Sequence, residues 1–324
     1  MCSVLAQDYS PLEYLVVDGA STDGSVEIIE HYADRLSWWV SEPDRGQAEA
    51  INKGLKQSNG EIVAWLNSDD LYLPKAITQA VSALQQNPDV GLVFADALTI
   101  DAQGRPLNRL SFGDWGLEDL VSFRIICQPA VFMRRSVLEQ ANFLDPSFHF
   151  LLDHHLWVRM ARLAPICYAG SDRRKQPLGS GASPSGVWAA ARHHPAAKNV
   201  AHAREFGQEA FRLLAWMQSQ PDLGNWIAAH KNQVYGGVYR LNARYLLDGG
   251  LPGAALKSYF YALLARPAYA LQHWHRMLYA LVCLVGLGSA AKRSYHRLVD
   301  KRPDLTAMPN LAGWPGILLE REGG

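Results

Sequence analysis

The sequence predicts an α/β protein, a mostly parallel sheet flanked by helices, followed by an α-helical carboxyl-terminal region. From Leu12 to Cys167 short apolar strands alternate with helical stretches, the pattern of strand–helix units around a parallel sheet. Between Gly170 and Val187 the stretch "GSDRRKQPLGSGASPSGV" has almost no apolar content, which marks a loop or linker. From Trp188 onward apolar residues recur at helical spacing, as amphipathic helices require. The predicted division is 1–170 for the α/β domain, 171–187 for the linker and 188–324 for the helical region.

Taken in order, "LEYLVVDG" is the first clear strand, and "STDGSVEIIEHYA" begins a helix with Ser21 or Thr22 placed to accept its orphan amide hydrogens. "LSWWVSEP" is a second extended segment, and "GQAEAINKGLKQS" a helix with Ala50, Ile51 and Leu55 on one face. Glu61 to Leu66, entered by the turn "SNG", is a third strand, and Pro74 starts the next helix, which carries "AITQAVSALQQ" and stops before Pro88. "VGLVFADALTID" is a further strand, closed by the turn "DAQGRP". Beyond the linker, "EFGQEAFRLLAWMQ", "NWIAAHKNQVYGGVYRLNARYLLD" and "GLPGAALKSYFYALLARP" are amphipathic. The last two resemble one helix-turn-helix repeat of the tetratricopeptide type.

Composition removes several classes. Lys+Arg and Asp+Glu both total 31 in 324 residues, so no charge excess points to nucleic acid as a partner. Cys2, Cys127, Cys167 and Cys283 are scattered, with no C-x-x-C pair or zinc-like cluster, as expected of reduced cytosolic thiols. Met1 to Ser10 lacks the basic start and apolar run of a signal peptide. The longest apolar run, "MLYALVCLVGLGSAA", is shorter than the roughly 20 residues needed to span a bilayer. It is bounded by His275-Arg276 and Lys292-Arg293, so it reads as a buried helix or as an interfacial helix on anionic lipid.

The stretch "EIVAWLNSDDLYLP" raises the question of function. A strand rich in Ile, Val, Trp and Leu ends in Asn67-Ser68-Asp69-Asp70, and adjacent like charges cost free energy unless a cation or a donor-rich ligand compensates. Either a metal sits there, or the pair is solvated and caps the following helix. Asp18 and Asp96 also close strands. In open α/β sheets, ligands bind outside the carboxyl ends of the strands.

Four motifs in order, "VVDGASTDGS", "SEPDRGQAEAINKG", "VAWLNSDDLYLP" and "LLDHHLWVRMA", resemble a family-2 glycosyltransferase with the GT-A fold over about Met1 to His194. The resemblance implies that Asp18 contacts the base or ribose of a nucleotide sugar. It also implies that Asn67-Ser68-Asp69-Asp70 matches the D-x-D-type segment that holds a divalent ion on the diphosphate. Asn67 stands where many members have Asp, so Asp69 and Asp70 are the implied metal ligands, with Asn67 and Asp69 facing the donor. Arg45 is an implied contact to the nucleotide or phosphate, and His194 and Lys198 are implied to close over the diphosphate on the loop after the catalytic helix. Gln128-Pro129 falls at the acceptor-side segment and reads as structural.

The residue types suit this chemistry. A nucleoside diphosphate gathers negative charge as the anomeric bond breaks, and Mg²⁺ or Mn²⁺ on hard oxygen ligands neutralises it. A general base must take the proton of the acceptor hydroxyl. By the resemblance this is Asp153, although Asp153 also suits the N-cap of "HHLWVRMARL" and His154 is a second candidate base. One base opposite the leaving group implies inversion at the anomeric carbon. The expected partners are a nucleotide diphosphate sugar and a glycan or lipid-linked acceptor, for polysaccharide synthesis at the cytoplasmic face of a membrane.

Members of the family open with a strand and a P-x-Y-N-like turn, whereas Met1 falls inside the helix that follows. The resemblance therefore implies a GT-A-like sheet lacking its first strand. Two other classes follow: a catalytically inactive homologue that acts as a binding scaffold, and a nucleotidyltransferase, which would show a Gly- and basic-rich phosphate loop near its amino end.

Overall fold

The computed structural model describes residues 1–170, 186–193, 198, 202–288, 290 and 313–317. In chain order the first elements are α1 (Cys2–Leu5), β1 (Leu15–Asp18), α2 (Ser25–His31), β2 (Trp38–Ser41), α3 (Gln47–Gln57), β3 (Ile62–Val63), β4 (Leu71–Tyr72) and α4 (Ala76–Gln86). They are followed by β5 (Leu92–Phe94), β6 (Asp96–Ile100), β7 (Pro106–Leu110), α5 (Leu117–Val121), β8 (Val131–Arg134), α6 (Arg135–Gln140), α7 (Leu152–Ala161), β9 (Ile166–Tyr168) and β10 (Val187–Arg192). The helical region contains α8 (Ala203–Ser219), α9 (Pro221–Ala229), α10 (Lys231–Asp248), α11 (Pro252–Ala265), α12 (Pro267–Leu271) and α13 (Trp274–Leu284).

The chain divides into two units. The first, Met1–Gly116, Ile126–His193 and Arg302–Gly324, holds all the strands described. β1 and β2 pair in parallel, from Leu15 opposite Trp38 to Asp18 opposite Ser41. A second sheet runs β3-β8-β5-β9, with β8 antiparallel to β3 and β5, and β9 parallel to β5. A third runs β4-β10-β6-β7, parallel only between β10 and β6. The α/β class expected from the strand–helix alternation holds, with parallel and antiparallel pairings mixed.

Local details depart from the pattern reading for physical reasons. The segment read as one strand from Gly91 to Asp101 splits into β5 and β6, which belong to different sheets. At the break the Ala95 amide donates to Ala130, whereas the Asp96 amide donates to Gly186. Of Glu61–Leu66 only Ile62 and Val63 pair as strand. The cap of α2 is not Ser21 or Thr22: Gly24 precedes the helix at a φ of 90°, and Asp23 accepts from the Ser25 amide and hydroxyl. Lys75, not Pro74, is the residue before α4. By sequence β10 falls across the linker and the helical region, yet it is a central strand between β4 and β6.

The core of this unit lies between α4 and the strands. Ile77, Ala80, Val81 and Leu84 form one helical face against Val93, Phe132, Trp188 and Ala189. Each large apolar side chain buried here contributes about 1.5–3 kcal/mol.

The second unit, Leu117–Ile125 and His194–Lys301, is helical where described. α10 and α11 form the expected antiparallel hairpin, joined where Ser258 donates to the Tyr239 carbonyl at 2.8 Å and Asn242 donates to the Ser258 hydroxyl at 3.0 Å. Gly237 on α10 is required by packing, because a Cβ there would stand 2.0 Å from the Ser122 carbonyl oxygen. Among the described residues no helix is long and apolar enough to cross a membrane.

Candidate active site

The turn after β3 places the acidic pair. The Asp70 amide donates to the Asn67 carbonyl at 3.1 Å, which closes the turn and carries Asp70 inward to 8 % exposure. Asp69, one residue earlier, stays half-buried. Three separate parts of the chain hold this turn. Asn67 donates to Asp70 Oδ2 at 3.2 Å and to Gln128 Oε1 at 3.1 Å, and accepts from Gln47 Nε2 at 2.9 Å. Gln128 in turn donates to the Trp65 carbonyl at 2.8 Å.

Arg192, the last residue of β10, closes the other side. Its backbone amide donates to Asp70 Oδ1 at 3.0 Å, and its Nε donates to the Asp69 carbonyl at 3.0 Å. Its Nη1 donates to the carbonyls of Asp101 and Ala102 at 2.9 and 3.0 Å. The guanidinium thus ties the acidic turn to the β6–β7 connection through main-chain acceptors.

Burial, and then the charge of Asp69, push the Asp70 carboxyl up to about 6 from an ordinary 3.8, against the hydrogen bonds from the Arg192 amide and Asn67. An acid held in this state gains from a nearby cation. The donors are carboxylate oxygens, which suit Mg²⁺ or Mn²⁺, and Mg²⁺ commonly takes one or two carboxylates with the rest of its shell from water and substrate phosphate. The pair therefore fits such an ion. Among the described residues no group of three or more His, Cys, Asp or Glu side chains is arranged around a metal position.

Asp153 stands in the first turn of α7, where Leu151 is the N-cap. It is therefore not the cap of that helix, and its Oδ1 accepts from the His154 amide at 2.7 Å. An acid in a helix's first turn is stabilised by the helix dipole. One turn on, Trp157 stacks on Trp65 with ring centroids 5.2 Å apart and planes at 27°. Residues four apart share a helix face, so the face of α7 that carries Asp153 is the face stacked on the segment between β3 and Asn67. Arg159 fixes the helix further by donating to the carbonyls of Ala141 and Phe143. Asn52 and Leu144 exchange two hydrogen bonds that tie α3 to the loop before α7. His154, 0 % exposed, presents no surface to an acceptor hydroxyl.

Asp18 closes β1, where its Oδ2 accepts from the Ser21 amide at 2.9 Å and the Ser41 hydroxyl at 2.6 Å. Burial raises its carboxyl, and the Ser21 and Ser41 hydrogen bonds outweigh that to hold it below the ordinary range. The next residue, Gly19, lies so close to Asp44 that a Cβ would meet Asp44 Oδ2 at 2.6 Å. Asp44 leads through Gly46 into Gln47, which reaches Asn67. The amino end of α3, the positive end of its dipole, is thereby held next to the acidic turn. Arg45 points elsewhere: its side chain is 89 % exposed and pairs with Glu49. Asp96 is consumed internally, accepting from Arg109 at 2.7 Å, Tyr168 at 2.6 Å and the Phe112 amide at 3.1 Å. Lys198 belongs to the second unit, and His194 lies outside the described residues.

Gln47, Gln128 and Arg192 are the residues that sequence reasoning missed or set aside. Gln128 reads from sequence as structural, and Arg192 falls in the expected helical region because the polar linker hides the strand behind it.

Residues 1–141 match the family described as glycosyl transferase family 2. An uncharacterized glycosyltransferase of Rickettsia typhi is 27 % identical over 175 residues, covering 51 % of this chain and 54 % of its own length. One from Nostoc is 32 % identical over 157 residues, 44 % of this chain and 48 % of its own. An O-antigen biosynthesis protein of Myxococcus xanthus is 28 % identical over 165 residues, 50 % of this chain and 13 % of its own. The match thus spans about half the length of these relatives or less. Among solved structures, Staphylococcus aureus TarS 1–349 in complex with UDP-GlcNAc superposes with a TM-score of 0.55 at 16 % identity, covering 92 % of this chain and 85 % of that one. A mannosyltransferase of Pyrobaculum calidifontis in complex with GDP-Man and Mn²⁺ gives 0.53 at 21 %, covering 88 % and 81 %. These likenesses establish the GT-A fold.

Proposed function

From the match of residues 1–141 to glycosyl transferase family 2, we propose that this chain moves a sugar from a nucleotide diphosphate sugar to a hydroxyl acceptor, with inversion at the anomeric carbon. The observation that carries the proposal is the turn Asn67–Asp70, held through Asn67 by Gln47 and Gln128 and through Asp70 by Arg192, beside the helix that bears Asp153. Asp69 and Asp70 would hold Mg²⁺ or Mn²⁺, which supplies positive charge to the departing diphosphate. Asp18, at the end of β1, would face the nucleoside, and Asn67 would orient Asp70.

In this scheme Asp153 takes the proton of the acceptor hydroxyl as its oxygen bonds to the anomeric carbon and the carbon–phosphate oxygen bond breaks. Arg45 would reach the donor only by leaving its pair with Glu49. The acceptor is a glycan or lipid-linked hydroxyl of a surface polysaccharide, met at the cytoplasmic face of a membrane. Calorimetry with UDP- and GDP-sugars, with and without Mn²⁺, tests the reading. Metal-dependent binding that is lost in Asp69→Asn is expected, and no binding of any nucleotide sugar in either condition would overturn it.

One observation favours a second reading, a binding protein without turnover. Among the described residues β1 and β2 pair only with each other, and β3 is the edge of its sheet. Donor binding with no sugar release or transfer over a panel of acceptors would select it.

A further inference from the structure

We infer that α13 seats this chain on an anionic lipid surface, lying along the bilayer face. The inference rests on the proposed membrane-face location but not on the transfer chemistry. Trp274, Leu278 and Leu281, with Val285 at the helix end, are between 50 and 71 % exposed. Their spacing of three and four residues puts them on one face. The other side of the helix is already used: Ala280 is fully buried, and Arg276 pairs with Asp248 of α10 at 3.1 Å. On α11, which packs on α13, Phe260 and Leu264 are a second exposed pair one turn apart, 56 and 66 % exposed. Apolar side chains in a continuous stripe on a monomer's surface mark an interaction site.

Charge identifies the occupant. From Gly249 to Val299 the sequence contains no Asp or Glu, while it contains Lys257, Arg266, Arg276, Lys292, Arg293 and Arg297. The rest of the chain therefore carries every acid and a net negative charge, since the whole is balanced at 31 of each sign. An apolar face in a segment purged of acids and flanked by Lys and Arg suits a surface of anionic headgroups. Trp274 at one end of the stripe has the amphipathic ring favoured at headgroup depth. At 11 residues the helix is about 16 Å long, against roughly 30 Å of bilayer hydrocarbon. It thus lies in the interface, as monotopic amphipathic helices do.

The test uses the intact chain and sedimentation with vesicles of phosphatidylcholine alone or phosphatidylcholine mixed with phosphatidylglycerol. Partition is expected onto the mixed vesicles at least about tenfold above the neutral ones, falling as salt shortens the Debye length. The double substitution Leu278→Glu and Leu281→Glu, at exposed positions, should lower partition at least about tenfold while calorimetric nucleotide-sugar binding is kept. Absence of partition, or partition indifferent to the double substitution, overturns the inference. So does self-association that the same substitution removes without any vesicle binding, which would assign the face to a second copy. Loss of nucleotide-sugar binding in the unmodified chain would overturn the proposed function and leave this inference standing.

Discussion

Replacing Asp70 with Asn is expected to stabilise the metal-free chain while abolishing metal-dependent donor binding. The Asp70 carboxyl is raised from 3.8 to about 6 by burial and then by Asp69. At about 1.4 kcal/mol per pH unit, its ionised form costs the fold about 3 kcal/mol at neutral pH. The sign follows from linkage: the folded chain holds this proton more tightly than the unfolded one, so stability rises as pH falls from about 6 toward 3.8, and the penalty is complete above 6. The substituted amide keeps an oxygen for the Arg192 amide but loses the acceptor for Asn67, about 1 kcal/mol. The net gain is about 2 kcal/mol, a rise in Tm of several degrees for a protein of this size. Thermal unfolding without metal at pH 7.5 and at pH 4.5 measures it. The gap between variant and parent should be largest at pH 7.5 and close or reverse at pH 4.5, where the parent's carboxyl is protonated. A variant less stable than the parent at pH 7.5, or a gap that ignores pH, would refute the reasoning.

Apparent Mn²⁺ affinity should fall about tenfold per pH unit below 6, because the proton on Asp70 competes with the ion; titration calorimetry at pH 7, 6 and 5 reads this directly. Asp153→Ala should lower kcat by about 10²–10⁴, with donor Kd and circular dichroism unchanged. Arg192→Lys should cost about 2–3 kcal/mol in denaturant unfolding and weaken Mn²⁺ binding, since one ammonium cannot reproduce the bonds to the Asp69, Asp101 and Ala102 carbonyls. Asp96→Asn should destabilise by about 3 kcal/mol through the lost ion pair with Arg109. Donor affinity of the folded fraction should stay intact, which would mark Asp96 as a structural acid.

The α/β half was legible because strand–helix alternation and turn residues are local signals, and α3, α4, β1 and β2 appear where the periodicity puts them. Two kinds of feature escaped. β5 and β6 form a continuous apolar run, and only the partners of the Ala95 and Asp96 amides, 35 and 90 residues further along the chain, decide that it changes sheets. β10 hides behind a polar stretch, so "VWAAAR" reads as the start of a helical region, although Val187 and Trp188 are buried in the strand core. Small residues such as Ala189 and Ala190 suit a strand closely covered by α4 as well as they suit a helix. Composition alone cannot separate the two.

The same limit explains the site. The acidic pair and Asp153 were visible as charges at element ends, but what distinguishes Asp69 from Asp70 is not in the local sequence. Asp70 spends one oxygen on an amide 122 residues away and the other on Asn67, whereas Asp69 remains half-buried at the turn's outer side. Of two adjacent acids, the inner one is thus fixed in position and the outer one is more open to solvent. The Asn at position 67 then gains a physical reason: a third carboxylate there would raise Asp70 further, while an amide can donate to Asp70 and Gln128 and accept from Gln47 at once. The departure from the expected acid is therefore compatible with a working metal site, because the amide supports the carboxylate that the motif requires.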